Sequence, residues 1–254
     1  MKNNTKVYAA ILVIGNEILS GKTHDKNINF IALRLKKIGI ILREVRVIRD
    51  DKFEIINNVK ELSKKNDHVF TTGGIGPTHD DITASAIADA FNDKMVLNQQ
   101  ALKLLENHYI NSGVELNDSR KKMAYIPSKA DLIANLVSAA PGFHLENVWV
   151  MAGVPKIMQS MFKEDIEKRL NKGKPIISRS VKVLKAEGDI ANYLNKVVKL
   201  NERIEIGSYP FYRPPEIGTT IIFSGTSLKE IENLIKVLCK YLTKAKIHFS
   251  IEKT

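Results

Sequence analysis

The residues best suited to chemistry lie in one run, Thr71-Thr72-Gly73-Gly74-Ile75-Gly76-Pro77-Thr78-His79-Asp80-Asp81-Ile82-Thr83. Three glycines in four positions let the backbone turn tightly and bring bare N–H groups against an anion, and the helix expected next adds its positive end. A phosphate is the natural occupant, on Gly73, Gly74, Gly76 and Thr78. The run is not a Walker A loop, because no Gly-Lys-Ser/Thr follows, and it is not Gly-x-Gly-x-x-Gly. Two adjacent carboxylates repel a bound phosphate unless a cation lies between them, and hard oxygens with phosphate are what Mg²⁺ prefers. A divalent metal (Mg, Mn or Co) on Asp80 and Asp81 is therefore expected. Thr78 and Asp81 also have capping-box spacing. Capping explains those two residues and leaves Asp80 and Gly73 to Gly76 to the phosphate.

Other polar groups follow other strand-like runs. Gly15-Asn16-Glu17 comes directly after the first apolar run, so Glu17 can reach the crevice of Asp80 and Asp81 as a third metal ligand, with a solvated turn acid as the plain alternative. Asn16 adjoins it, and Asn27 is a candidate helix cap. In Leu116-Asn117-Asp118-Ser119-Arg120-Lys121-Lys122-Met123-Ala124, Arg120 and Lys121 offer donors to phosphate and Asn117 an amide to a base or sugar. A capped surface helix explains that spacing equally well. Ala140-Pro141-Gly142 and Ala152-Gly153-Val154-Pro155 read as small-residue turns that permit close backbone approach, with Pro141, Gly142 and Gly153 as substrate-side candidates. His24, His79, His108 and His144 lack zinc-ligand spacing, and Ser20, Ser85 and Ser138 lack a nucleophile-elbow context.

Apolar runs of strand length alternate with amphipathic stretches through the first two thirds, the rhythm of a parallel sheet covered on both faces. Strands are expected at 8–14, 40–48, 68–72, 132–137 and 148–151. Helices are expected at 27–38, 53–64 (with Phe53, Ile56, Val59 and Leu62 on one face), 82–91, 99–111 and 156–170. Charge with Gly and Pro at 169–174 marks a linker. The expected domains are therefore 1–172, a three-layer α/β/α unit with a mostly parallel sheet, and 173–254, a smaller α+β unit in ferredoxin-like order. After a strand expected at 203–209, Gly207-Ser208-Tyr209-Pro210-Phe211-Tyr212-Arg213-Pro214-Pro215 reads as a turn that packs a hairpin, with closure over a site or a subunit contact as the alternatives.

The chain has 254 residues, 44% hydrophobic and 26% charged, which excludes disorder and low complexity. Its single cysteine, Cys239, excludes an internal disulfide and fits a reducing, cytoplasmic compartment. The first apolar run follows Lys2 and Lys6 but stops at Gly15, far short of a membrane span, and no cleavage site follows it. The net charge of +11 sits in the flanks: residues 51–100 carry five Lys and Arg against eight Asp and Glu. Aromatics do not interleave with the basic residues, so specific nucleic-acid binding is not expected.

Taken together, Gly15-Asn16-Glu17-Ile18-Leu19, the Thr72 to Thr83 run, Asn117 with Arg120, Ala140-Pro141-Gly142 and Ala152-Gly153-Val154-Pro155 resemble the molybdopterin-binding, MoCF-type domain (the MoaB- and MogA-like family). The resemblance is to the branch shared with the amino-terminal part of CinA, the competence/damage-inducible protein, and covers most of residues 7–170. The small unit is similar to the region that follows this domain in CinA-like proteins and in animal FAD synthases. The resemblance implies a ligand at the glycine loop and several activities: molybdopterin binding or adenylylation, metal-dependent cleavage of ADP-ribose-type pyrophosphates, or FAD hydrolysis. Asn16 stands where many members carry an aspartate, and the sequence ends before a nicotinamide-nucleotide deamidase domain, so that activity is expected to be absent. The implied reading is a metal-dependent nucleotide pyrophosphatase. In it Asp81 is general base or metal ligand, and Arg120 or Lys121 meets the leaving phosphate. The alternative is a module that binds molybdopterin or nucleotide without turnover. A homo-oligomer is expected from related domains.

Overall fold

A computed structural model describes residues 6–214 and 216–252; Lys2 and Pro215, named above, lie outside the described residues. Contacts divide the chain into Met1–Gly173 and Lys174–Thr254.

The first unit is built on a six-stranded sheet in the order β2-β1-β3-β8-β7-β6. Its strands are β1 (Val7–Ile14), β2 (Ile40–Ile48), β3 (His68–Thr72), β6 (Asp131–Ile133), β7 (Gly142–Leu145) and β8 (Val148–Met151). The pairs among β2, β1, β3 and β8 are parallel, and β7 and β6 add antiparallel pairs at the edge. Alternation along β1 explains why helices cover both faces. Ala10, Leu12 and Ile14 join one core with Ile55, Val59 and Leu62 of α3 (Lys52–Lys65), Ala86 and Ile87 of α4 (Thr83–Ala90) and Leu105 of α5 (Gln99–Ser112). Ala9, Ile11 and Val13 join the opposite core with Ile31 and Leu35 of α2 (Asn27–Lys37) and Met158 and Met161 of α7 (Pro155–Met161). The result is the expected three layers. Short elements complete the unit: α1 (Asn16–Leu19), α6 (Asp118–Lys121), α8 (Glu167–Arg169) and the paired strands β4 (Met95–Leu97) and β5 (Tyr125–Pro127).

Four expectations change here. The helix over 53–64 is present with Val59 and Leu62 buried, but Phe53 is exposed, Ile56 is half-buried and Ile55 takes the buried position in the first turn. The strand expected over 132–137 ends at Ile133, and Asn135 then ties a turn by accepting from the N–H groups of Val137 and Ser138. Gly142 is not a turn residue: it opens β7, where a Cβ would stand 2.3 Å from the Val150 carbonyl. The helix expected over 156–170 starts at Pro155 and widens to a π-helical turn at Phe162–Ile166.

The second unit runs β9 (Ile177–Val183), α9 (Glu187–Val198), β10 (Glu205–Arg213), β11 (Glu216–Gly225), α10 (Leu228–Lys244) and β12 (Phe249–Glu252). Its antiparallel order β10-β11-β9-β12 is the split βαβ arrangement. Val181, Val183, Ile221 and Phe223 face Ile190 of α9 and Leu234 and Leu238 of α10. The turn expected at 207–215 is a strand as far as Arg213, and Pro210 is tolerated because β10 is an edge strand. No helix among the described residues is long and apolar enough to cross a membrane.

Candidate functional site

From β1 the chain passes to β2 on one side and then to β3 on the other, so the strand order reverses between β1 and β3. Ligands of open α/β sheets bind outside the carboxyl ends of the strands at such a reversal. A crevice of about 620 Å³ lies there. It brings together Glu17 after β1, Gly73, Gly74, Gly76, Asp80 and Asp81 after β3, and Gly153 after β8. Thr23, Asp50, Tyr109, Asn135 and Ser138 also line it and were not selected from the sequence. Asp50 had a usable signal, since it follows the carboxyl end of β2 just as Glu17 follows β1.

The loop after β3 needs its glycines. Gly73 and Gly74 have φ of 104° and 67°, a region that side chains disfavour. A Cβ on Gly73 would stand 2.1 Å from the Ile14 carbonyl oxygen, and one on Gly74 2.1 Å from Thr83 Oγ1. The Gly73 N–H donates to the Met151 carbonyl at 3.1 Å, and the Gly74 carbonyl accepts from the Thr83 N–H at 3.0 Å. The next three N–H groups, of Gly74, Ile75 and Gly76, have no hydrogen-bond partner among the described residues.

Thr78 is used differently from the expectation. Its N–H donates to Asp81 Oδ2 at 2.8 Å, and its hydroxyl donates to the same oxygen with the Asp80 carboxylate also within its reach. The pair closes a turn, but it does not cap α4, which starts at Thr83. Asp81 Oδ1 has no hydrogen bond among the described residues. Asp80 is exposed, and the Thr78 hydroxyl, its own amide and the nearby His79 and Lys122 charges hold its carboxyl below the usual range. His79 is exposed.

The cation at the loop is Lys122. Its Nζ donates to the Thr78 carbonyl at 2.8 Å and lies 3.4 Å from the Asp81 carbonyl. Arg120 donates instead to the Glu115 carbonyl and lies over the Tyr109 ring, with 5.0 Å to the centroid. Lys121 pairs with Asp118 at 3.4 Å. Asn117 caps α6, accepting from the Arg120 N–H at 3.0 Å. None of these three lines the crevice. Asn16 is held aside as well: its N–H donates to Asp50 Oδ2 at 2.8 Å, and it borders a separate shallow depression. Pro141 lines a smaller recess behind the loop, and Gly142 is packed within β7. Asn27 does not cap α2; that role falls to Asp25, whose Oδ1 accepts from the Ile28 N–H. Asn27 is buried and donates through Nδ2 to the Gly153 carbonyl at 2.8 Å, fixing one wall of the crevice.

Among the described residues, no three His, Cys, Asp or Glu side chains converge into a ready-made metal centre. Glu17, Asp80 and Asp81 share the crevice without meeting at one point. Such a donor set fits a hard cation that takes one or two carboxylates and completes its shell with a ligand's phosphates and water.

Residues 10–172 match the family model described as "Probable molybdopterin binding domain", and residues 175–250 match that of the "FAD synthase, middle domain". A protein of Archaeoglobus fulgidus is 37% identical over 226 residues, covering 89% of this chain and 94% of that protein. A CinA-like protein of Syntrophotalea carbinolica is 38% identical over 166 residues, which is 64% of this chain and 40% of its own length. The crystal structure of CinA from Thermoplasma acidophilum, described as of unknown function, superposes with a TM-score of 0.59 at 32% identity, covering 65% of this chain and 98% of that one. These matches agree with the glycine loop at the strand reversal and with the ferredoxin-like unit that follows in the sequence, and the chain belongs to the molybdopterin-binding domain family, in its CinA-like branch.

Proposed function

We propose that the protein is a divalent-cation-dependent pyrophosphatase acting on nucleoside diphosphate compounds of the ADP-ribose or FAD type. The observation that carries this is the run of three N–H groups, Gly74 to Gly76, without a partner among the described residues, beside two aspartates at the strand reversal. A loop of free amides is a phosphate cradle. The descriptions of the two matching family models support a pterin or flavin nucleotide as the kind of ligand.

In this reading Gly74, Ile75 and Gly76 bind the diphosphate oxygens, and Asp80 and Glu17 turn carboxylates toward the cation. A bound cation would supply charge neutralisation at phosphorus and ease the ionisation of the attacking water. Asp81 keeps the loop in shape through Oδ2 and has Oδ1 free to take a proton. Lys122, closer to the loop than Arg120 or Lys121, faces the charge that develops on the leaving phosphate.

The test is release of AMP from ADP-ribose, FAD and NAD with Mg²⁺, Mn²⁺ or Co²⁺. Asp81→Asn keeps an acceptor for Thr78 and removes the charge, whereas Asp81→Ala removes both. Turnover is expected to fall by about 10²-fold or more in each, with Asp81→Asn unfolding like the parent. Full activity in Asp81→Asn would take Asp81 out of the chemistry. A second reading, pterin or nucleotide binding without turnover, is favoured by the lack of a converged carboxylate cluster among the described residues. No AMP from any substrate, together with tight pterin binding, selects it.

A further inference from the structure

We propose that the apolar recess behind the glycine loop is a ring-binding subsite, taking the flat bicyclic heterocycle, a purine, of the nucleotide whose phosphates lie on Gly74 to Gly76. The inference rests on the phosphate reading above and extends it to the far side of the loop. The recess has a volume of about 240 Å³ and lies between α4, β4 and β5. Ile75, Gly76, Asp81 and Met123 line both this recess and the larger crevice, so a ligand joined at phosphate can straddle the loop.

The two chambers differ in chemistry. Glu17, Asp50, Asp80 and Asp81 give the crevice its carboxylates. The recess is walled by Ile82, Met95, Met123, Tyr125 and Phe143. Pockets that hold whole drug-sized ligands run to roughly 300–1,000 Å³. The recess therefore admits one ring system, and the crevice of about 620 Å³ has room for the sugar and phosphates.

Three features select a flat ring over an alkyl chain. Tyr125 lines the recess, is 46% exposed, and makes no ring–ring or cation–ring contact among the described residues. The two methionines offer sulfur to a ring edge. Lys122 is the cation in the recess lining, and its Nζ lies 2.8 Å from the Thr78 carbonyl, where ring and phosphate would meet.

The test is calorimetric titration of the full chain, with Mg²⁺ present, by inorganic pyrophosphate and separately by AMP. Tyr125→Ala removes the platform, and Ala84→Leu fills the recess from α4. Both variants are expected to bind pyrophosphate within about twofold of the parent and AMP about tenfold or more weakly, the usual scale of base stacking. Should Ala84→Leu fail to fold, Tyr125→Ala decides alone, since its half-exposed side chain contributes little to the core. Parental AMP affinity in the variants, with pyrophosphate still bound by the parent, overturns the ring subsite and leaves the phosphate cradle standing. A parent that binds neither probe overturns the cradle and the subsite with it.

Discussion

At Gly74, backbone conformation and packing both require a glycine: φ is 67°, and the Thr83 hydroxyl occupies the place of a Cβ. Gly74→Ala is expected to cost about 1–2 kcal/mol for the left-handed conformation, before any clash with Thr83. Because the free amides of Ile75 and Gly76 follow directly, pyrophosphate affinity should fall with stability. Urea unfolding and titration on the same sample check both, and a stable variant with parental affinity would contradict the cradle geometry. Residue types at this loop were legible in the sequence, but partners were not. Thr78 and Asp81 carry the pattern of a cap, yet they close a turn ahead of the helix. Lys121 and Lys122 are neighbours of one type, and only the three-dimensional path of α6 and the turn after it turns Lys122 onto the loop.

Across β3, β7 and β8, His68, Trp149 and His144 form a cluster. The Trp149 indole N–H donates to His68 Nδ1 at 3.3 Å, and His144 stacks on Trp149 with centroids 3.7 Å apart. Burial, and then the Arg169 charge, push the His144 pKa down to about 4, against smaller opposing effects of Asp131 and Asp165; burial lowers His68 as well. Both imidazoles are therefore neutral in the folded state at pH values where the unfolded chain binds protons. The stability this confers is full above about pH 6.5 and is lost as pH falls toward 4. His144→Phe keeps the stack and removes one titration, so its Tm should drop less than the parent's between pH 7 and pH 5; equal drops would contradict the assignment. At this scale strands β1, β2, β3 and β8 were readable from the chain. The short strands β4, β5 and β7 were not, because three or four residues carry too little periodicity and Gly142 looks like a turn. The segment ending in Arg213 misled for another reason: Pro and Gly mark turns, and only its place at a sheet edge makes Pro210 a strand residue.

Over the whole molecule, the division into two units was visible in the Gly-Pro linker and the change of rhythm that follows it. Each unit has its own core, and the two cores of the first are drawn from residues no later than Leu170. Residues 1–173 expressed alone are expected to unfold cooperatively and to retain pyrophosphate affinity within about threefold, a shift below 1 kcal/mol. Loss of cooperative unfolding would show that the first unit depends on the second. The central claim is that Gly74, Ile75 and Gly76 hold a phosphate through their free N–H groups. Amide chemical shifts recorded while ADP-ribose and Mg²⁺ are added test it most directly. Large, saturable shifts at these three amides, with Gly73 moving little because its N–H is already bonded to Met151, are predicted; saturable shifts clustered elsewhere while these three stay fixed would contradict it.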